Sequence, residues 1–109
     1  MTENSAPAYL AGLADLDKLV HEPARLAVMA LLYVVDSASF TFVMNQTGLT
    51  WGNLSTHLSK LEAAGYLAVE KSFVGKRPNT DLSLTPVGRA AFSEYVTKMK
   101  QVLEELPAP

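Results

Sequence analysis

The sequence contains no cysteine among its 109 residues. Disulfide bonds, iron–sulfur clusters, thiol catalysis and cysteine-ligated zinc are therefore excluded, and the chain suits a reducing compartment, so we expect it in the cytoplasm. His21 and His57 have no paired carboxylate pattern near them, and no HExxH motif, phosphate-binding glycine loop or nucleophile elbow occurs. We therefore predict that the protein is not an enzyme and holds neither a metal nor a cofactor.

Long apolar runs are also missing. The longest covers residues 26–35, whereas a helix that crosses a membrane needs about 20 apolar residues. The first residues show no basic region followed by an apolar stretch, so no signal peptide is expected. With 49% apolar and 18% charged residues, the composition is typical of one globular domain without a membrane segment.

The net charge of −2 is small, but it is unevenly distributed along the chain. Residues 51–80 contain four basic and two acidic side chains, a net charge of +2, and the remaining positions contain five basic and nine acidic ones, a net charge of −4. A local field can steer a charged partner even where the total charge conceals it. The basic segment is therefore the candidate for contact with a polyanion.

The spacing of apolar residues predicts two helices in the first third of the chain. Apolar side chains recur every three or four positions from Tyr9 to Val20, which indicates a first helix. Pro23 suits the first turn of a second helix, whose nearly continuous apolar surface is typical of a core helix. Residues 1–8 are expected to form a flexible N-terminus before a single domain over residues 9–106.

The rest of the chain has signals for helices and a hairpin. In Thr47-Gly48-Leu49-Thr50, the glycine suits the end of one helix and Thr50 suits the N-terminal cap of the next. Thr85-Pro86 likewise combines a cap with a first helical residue. The predicted elements are a loop over 36–39, a short helix over 40–46, a helix over 51–64, strands over 66–73 and 80–85 joined by a turn over 74–79, and a last helix over 86–106. Two helices at a tight turn, followed by a hairpin, indicate a mostly helical α+β fold, the winged helix-turn-helix.

The helix over 51–64 has one apolar and one polar face. At 100° per residue, Leu54, Leu58 and Leu61 share the buried face, with Ser55 and His57 on its flanks. Trp51 falls on the buried flank, so we predict that it packs in the fold; the alternative is a contact with DNA. The opposite face holds Gly52, Asn53, Thr56, Ser59, Lys60 and Ala63. Such side chains are able to enter a major groove and pair with base edges and phosphates; the alternative is a solvated surface.

Three further features of the sequence each have two interpretations. Lys76 and Arg77 lie at the hairpin tip, where cations would meet phosphate or a minor groove, or only solvent. His57 is either a phosphate donor or a surface residue without a role. The last helix carries an apolar arc of about 180°, wider than the roughly 100° of a core-facing stripe. We predict a twofold dimer through the first and last helices; the alternative is packing of these helices within one chain.

Several stretches together resemble small stand-alone winged-helix transcriptional regulators allied to the MarR and ArsR families. They are residues 21–26 (HEPARL), 49–58 (LTWGNLSTHL), 60–67 (KLEAAGYL), 71–78 (KSFVGKRP) and 84–92 (LTPVGRAAF). The resemblance covers residues 17–105. Trp51 and Thr56 depart from the residue types common there. Metal-sensing ArsR proteins use cysteines, which this chain lacks, so no metal role follows.

The resemblance implies a homodimer that binds double-stranded DNA in a sequence-specific way and controls transcription. The DNA-binding residues it indicates are Thr50, Gly52, Asn53, Ser55, Thr56, His57, Lys60, Lys76 and Arg77. Two other hypotheses remain. One is a winged-helix module that binds protein instead of DNA, and the other is a regulator that holds an aromatic small-molecule effector near the dimer seam.

Overall fold

The computed structural model describes residues 7–108 as helices packed around a small antiparallel sheet. The helices are α1 (Ala8–Ala14), α2 (Pro23–Val35), α3 (Phe40–Thr47), α4 (Trp51–Ala63) and α5 (Pro86–Glu105), and the strands are β1 (Ser37–Ser39), β2 (Leu67–Val74) and β3 (Arg77–Leu84). The sheet order is β1-β3-β2. This is a winged helix, so the predicted fold class is confirmed. Residues 1–6 of the predicted flexible N-terminus lie outside the described residues.

Side-chain caps set the starts of four helices. Each cap oxygen accepts a hydrogen bond from a backbone N–H in the first turn, which has no partner within the helix. The caps are Glu22, Ser39, Thr50 and Thr85. The predicted caps at Thr50 and Thr85 are thus confirmed. At the other end of a helix, Gly48 ends α3 in the left-handed conformation with φ of 72°, which glycine adopts without strain.

The first helix is shorter than its apolar pattern predicts. We predicted a helix to Val20, but α1 ends at Ala14. The Asp17 carboxylate accepts hydrogen bonds from the backbone N–H groups of Leu19 at 2.9 Å and Val20 at 3.3 Å. Such local bonds offer the backbone an alternative to the helix. Val20 is nevertheless fully buried. The apolar spacing therefore identified Val20 correctly as a core residue but predicted the wrong backbone conformation for it.

The sheet corrects two further predictions. Residues 37–39, interpreted as part of a loop, form β1 and pair antiparallel with residues 81–83 of β3. The turn predicted over 74–79 is only Gly75-Lys76, because β2 runs to Val74 and β3 begins at Arg77. Pro78 is accommodated within β3 because β1 does not reach this position, so the strand has a free edge that tolerates a missing N–H.

The core lies where α2, α4 and the sheet meet. Val28, Met29 and Leu32 of α2 are fully buried, but residues 33–35 of the same helix are exposed, so the core-helix prediction holds for one face of α2 only. The three buried side chains pack with Leu54 and Leu61 of α4 in one apolar cluster. This cluster holds α4 by its apolar face and leaves the opposite face to solvent.

α1 and α5 pack against each other as a two-helix layer, and α5 contributes Phe92 and Tyr95 to the same core cluster. The helices approach so closely that a Cβ at Gly12 would lie 2.8 Å from Val102 Cγ2. Of the predicted apolar arc, Phe92, Tyr95 and Val102 are buried within the chain. Both helices still expose apolar side chains, namely Leu10 and Leu13 of α1 and Val87 and Leu103 of α5, and Leu106, directly after α5, is exposed as well. Packing within one chain therefore covers only part of the apolar surface.

Candidate nucleic-acid interface

The outer face of α4 is exposed, as its periodicity predicts. Leu54, Leu58 and Leu61 are buried in the core. The six residues opposite them, Gly52, Asn53, Thr56, Ser59, Lys60 and Ala63, are all exposed. The helix thus presents an amide, hydroxyls and one ammonium group above a fixed apolar base.

Two hydroxyl groups in the first turns of α4 have partners within the helix. The Thr50 Oγ1 accepts a hydrogen bond from the Asn53 N–H at 3.2 Å, and the Thr56 hydroxyl donates to the Gly52 carbonyl at 3.0 Å. A threonine hydroxyl that bonds the carbonyl four residues back leaves its methyl group available for apolar contact. The exposed surface here is therefore the Asn53 amide beside a threonine methyl.

His57 is linked to the start of α2. Its Nδ1 lies 3.3 Å from Arg25 Nη1 and 3.7 Å from Glu22 Oε2, and its side chain is 19% exposed. The pKa of Glu22 lies below its ordinary value. Burial acts to raise this pKa, but hydrogen bonds from the Arg25 and Ala24 N–H groups, together with the charges of His57 and Arg25, lower it by more. The position of His57 favours a role in fixing α4 on α2 over that of a free phosphate donor. Ser55, on the other flank of α4, is half-buried.

The hairpin of β2 and β3, here called the wing, separates the two cations predicted at its tip. Lys76 lies in the turn after Gly75, whose φ is 65°. Arg77 is already in β3 and pairs with Val74. Because faces alternate along a strand, Arg77 and Val74 lie on the sheet face opposite to that of the buried Leu82.

Sequence reasoning missed two residues beside α4. Lys71 pairs with Thr80 and shares its sheet face with the Val69–Leu82 pair, so it lies on the wing face turned toward α4. The sequence signal that could have identified Lys71 is its alternation with Leu67 and Val69, which places the three side chains on one face of the strand. Trp51 was predicted to pack, but it is 67% exposed, with its ring centroid 5.9 Å from that of Phe40. Both residues line an open cleft between α4 and the wing.

The cations around this surface are not neutralised within the fold. Among residues 7–108, the ion pairs use Arg25, His57, Arg89 and Lys98 as their basic partners. Those pairs do not include Lys60, Lys71, Lys76 or Arg77, all of which are exposed. In the same part of the chain, no group of three acidic or histidine side chains is placed to hold a metal ion. No helix described there has the length and hydrophobicity to cross a bilayer.

These features define a winged helix-turn-helix protein of the DNA-binding class. The family model of the winged helix DNA-binding domain matches residues 24–103, and the chain belongs to that family. An uncharacterized protein of Methanocaldococcus jannaschii is 33% identical over 89 residues, which cover 82% of this chain and 97% of that protein.

Solved structures share the fold. A transcriptional regulator homologue from Pyrococcus horikoshii superposes with a TM-score of 0.82 at 26% identity, covering 92% of this chain and 98% of that one. The transcriptional repressor CouR has a TM-score of 0.71 at 24% identity, covering 89% of this chain and 66% of its own. The predicted resemblance to winged-helix DNA-binding proteins is confirmed by the family match, and a MarR-family regulator with 24% identity shares the fold. Family and fold are those of transcriptional regulators, not of enzymes.

Proposed function

We propose that the protein is a sequence-specific, DNA-binding transcriptional regulator that acts as a homodimer. In this proposal α4 enters the major groove, and the wing around residues 74–79 contacts the backbone or the minor groove. The observation that carries the proposal is the exposed outer face of α4, which combines an amide, hydroxyls and Lys60 beside a cationic wing. The CouR structure, which contains a 23-mer DNA duplex, supports the same partner.

The chemistry of the α4 face suits the reading of bases. An asparagine amide is able to pair with an adenine edge, and a threonine methyl is able to contact a thymine methyl. Lys60, Lys76 and Arg77 would meet phosphates, which position the protein but carry no sequence information. The proposed DNA-binding set remains Thr50, Gly52, Asn53, Ser55, Thr56, His57, Lys60, Lys76 and Arg77, with His57 the member most engaged within the fold.

The homodimer is supported by the apolar surface that α1 and α5 leave uncovered. Leu103 is 60% exposed, and Leu10, Leu13 and Leu106 are exposed on the same two-helix layer. Exposed apolar patches on small proteins mark interfaces. A second copy related by a twofold axis would cover these side chains with their own counterparts.

Selection from random duplexes tests this function. We expect a recurring site whose two halves lie about 10 base pairs apart, or a multiple of that spacing, as a twofold dimer requires. Mobility shifts across salt concentrations should give a log–log slope of several units, about −0.9 for each phosphate. Replacing Lys76 and Arg77 together with alanine should reduce the slope by about 1–2 units on all sequences. Equal affinity for selected and scrambled duplexes would contradict sequence-specific binding.

A second candidate is a winged-helix module that binds protein. It is favoured by large apolar side chains exposed beside the proposed DNA surface, since Phe73 is 72% exposed and Trp51, Phe42 and Val74 are exposed as well. A module of this kind would bind DNA weakly, if at all, with no preferred site. The duplex selection therefore separates the two candidates.

A small-molecule effector near the dimer seam stays a prediction. NadR, a structural neighbour with 18% identity and a TM-score of 0.65, was solved with 4-hydroxyphenylacetate. If this chain binds an aromatic effector, the compound should raise the melting temperature and change the affinity for the selected duplex.

A further inference from the structure

An open cleft of about 430 Å³ separates α4 from the wing. Its α4 side includes Trp51, Ser55 and Ser59, and its wing side includes Lys71 and Thr80. All five of these side chains carry hydrogen-bond donors, and the Lys71 ammonium group forms no ion pair within residues 7–108. Ser59 of the outer face of α4 lines one side of the cleft, and Pro78 and Asn79 of β3 line the other.

We propose that this cleft holds one sugar–phosphate strand of the bound DNA, with the Trp51 indole packed on a deoxyribose or a thymine methyl and Lys71 paired with a phosphate. The inference rests on the proposed DNA-binding function and adds two contact residues to it. A strand must cross here if α4 lies in the major groove and the wing reaches the adjacent minor groove, because the backbone separates the two grooves.

The exposure of Trp51 supports an apolar contact with DNA. Trp51 is the first residue of α4, and the residues at the start of a recognition helix are the ones that approach DNA. The neighbouring Phe40 ring, 5.9 Å away between centroids and tilted by 49°, leaves Trp51 67% exposed. Apolar contacts with sugars and thymine methyls would remove this exposed indole surface from water, which is favourable.

The charges of the cleft support a phosphate near Lys71. Lys71 is exposed on the wing face that is turned toward α4, and Ser55, Ser59 and Thr80 provide hydroxyl donors around it. Glu62 is the acidic residue among the lining side chains. It lies about 16 Å along α4 from Trp51 at 1.5 Å per residue. Repulsion from Glu62 should therefore keep the strand toward the Trp51 end.

Trp51 is the only tryptophan in the chain, so its fluorescence reports directly on this contact. The full-length protein would be titrated with a selected duplex that carries a fluorescent label. Label anisotropy measures binding, and the tryptophan emission and its quenching by acrylamide measure the environment of Trp51. We expect the emission to shift to shorter wavelength and acrylamide access to fall as the anisotropy rises.

Variants test the two contacts separately. Trp51→Ala should weaken binding by about 10- to 150-fold, the loss expected for one buried large apolar side chain, while Trp51→Phe should retain most of the affinity. Val34→Ala, at an apolar position that is 78% exposed outside the cleft, is the matched control and should bind like wild type. Lys71→Gln should reduce the salt slope by about 0.9, the value for one phosphate, whereas Lys100→Gln on α5 should leave it unchanged.

The outcomes distinguish this inference from the proposed function. A rise in anisotropy with unchanged tryptophan emission and quenching would overturn the placement of the strand, while DNA binding itself would stand. An unchanged salt slope for Lys71→Gln would remove the phosphate contact. No rise in anisotropy with any duplex would overturn both proposals.

Discussion

Gly88 of α5 lies directly against the backbone of Tyr66, so that a Cβ at Gly88 would stand 2.1 Å from the Tyr66 carbonyl oxygen. That oxygen also accepts a hydrogen bond from the Thr85 N–H at 3.0 Å. The residue before β2 and the first turn of α5 are therefore in backbone contact, with no room for a side chain between them. This contact joins the wing to the helix proposed to form the dimer.

Replacing Gly88 with alanine should destabilise the protein. Alanine is favoured over glycine inside a helix by about 0.5–1 kcal/mol, but here the new methyl group would collide with backbone that cannot rotate away. We expect the free energy of unfolding to fall by about 1–3 kcal/mol or more, as overpacking costs. Urea denaturation measures it.

Gly52→Ala is the control for Gly88→Ala. A Cβ at Gly52 would meet nothing within 4 Å, so this variant should be as stable as wild type or more so. If Gly88→Ala proved equally stable, the close approach of α5 to Tyr66 would be wrong.

Asn53→Ala and Thr56→Ala should each reduce specificity for the selected duplex. We expect each to cost about 1–3 kcal/mol on that duplex and little on random DNA, because neither removes a charge. Lys60→Ala should weaken both kinds of binding, since a phosphate contact is independent of sequence. Titrations on both duplexes provide the comparison, with melting curves to show that the fold is intact. Wild-type affinity of both neutral variants on the selected duplex would mean that α4 reads bases through other residues.

Leu103→Glu should convert the dimer to monomers or to insoluble protein. Leu103 is 60% exposed on α5, whereas Met99 packs partly against the core, so a charge at Leu103 tests the interface with less effect on the fold. Light scattering should give a mass near twice 11.8 kDa for wild type. Gln101→Glu adds a similar charge at an exposed polar position of the same helix and should remain dimeric. A monomeric wild-type protein would contradict the dimer.

Stability should decrease in strongly alkaline solution because of Tyr66. Its hydroxyl donates a hydrogen bond to Asp17 Oδ2 at 2.5 Å, and this bond, with burial and the charges of Asp17 and Glu94, raises the pKa of Tyr66 from 10.0 to about 12. The unfolded chain releases this proton at lower pH than the folded chain does. The stability contributed by protonated Tyr66 is therefore complete below pH 10 and is lost as the pH rises toward 12.

Tyr66→Phe isolates this contribution. It should lose about 1.5–3 kcal/mol at neutral pH, as expected for a hydrogen bond to a charged group, and its stability should fall less steeply between pH 10 and pH 12 than that of wild type. Urea denaturation at a series of pH values measures both effects, and Tyr9→Phe in α1 serves as a control away from Asp17. Parallel pH profiles for wild type and Tyr66→Phe would contradict the linkage.

The sequence by itself determined the elements whose signals are local. The Thr50 cap, the Gly48 helix end and the Leu54–Leu58–Leu61 seam predicted α4 and its exposed face, because caps act on adjacent N–H groups and helical periodicity repeats within a few residues. The winged fold followed from the order of these local elements. The outer face of α4 was predictable for the same reason.

Only the tertiary structure decided the features that depend on contacts between residues far apart in the sequence. Residues 37–39 are too few to show strand alternation and become β1 only because β3 offers its edge. Trp51 has the helical position of a packed residue, yet the neighbouring elements leave most of its ring uncovered. Lys71 faces α4 and Arg77 faces away, because the two-residue turn sets the strand register. Burial and register depend on what packs against a segment from elsewhere in the chain, which no local pattern contains.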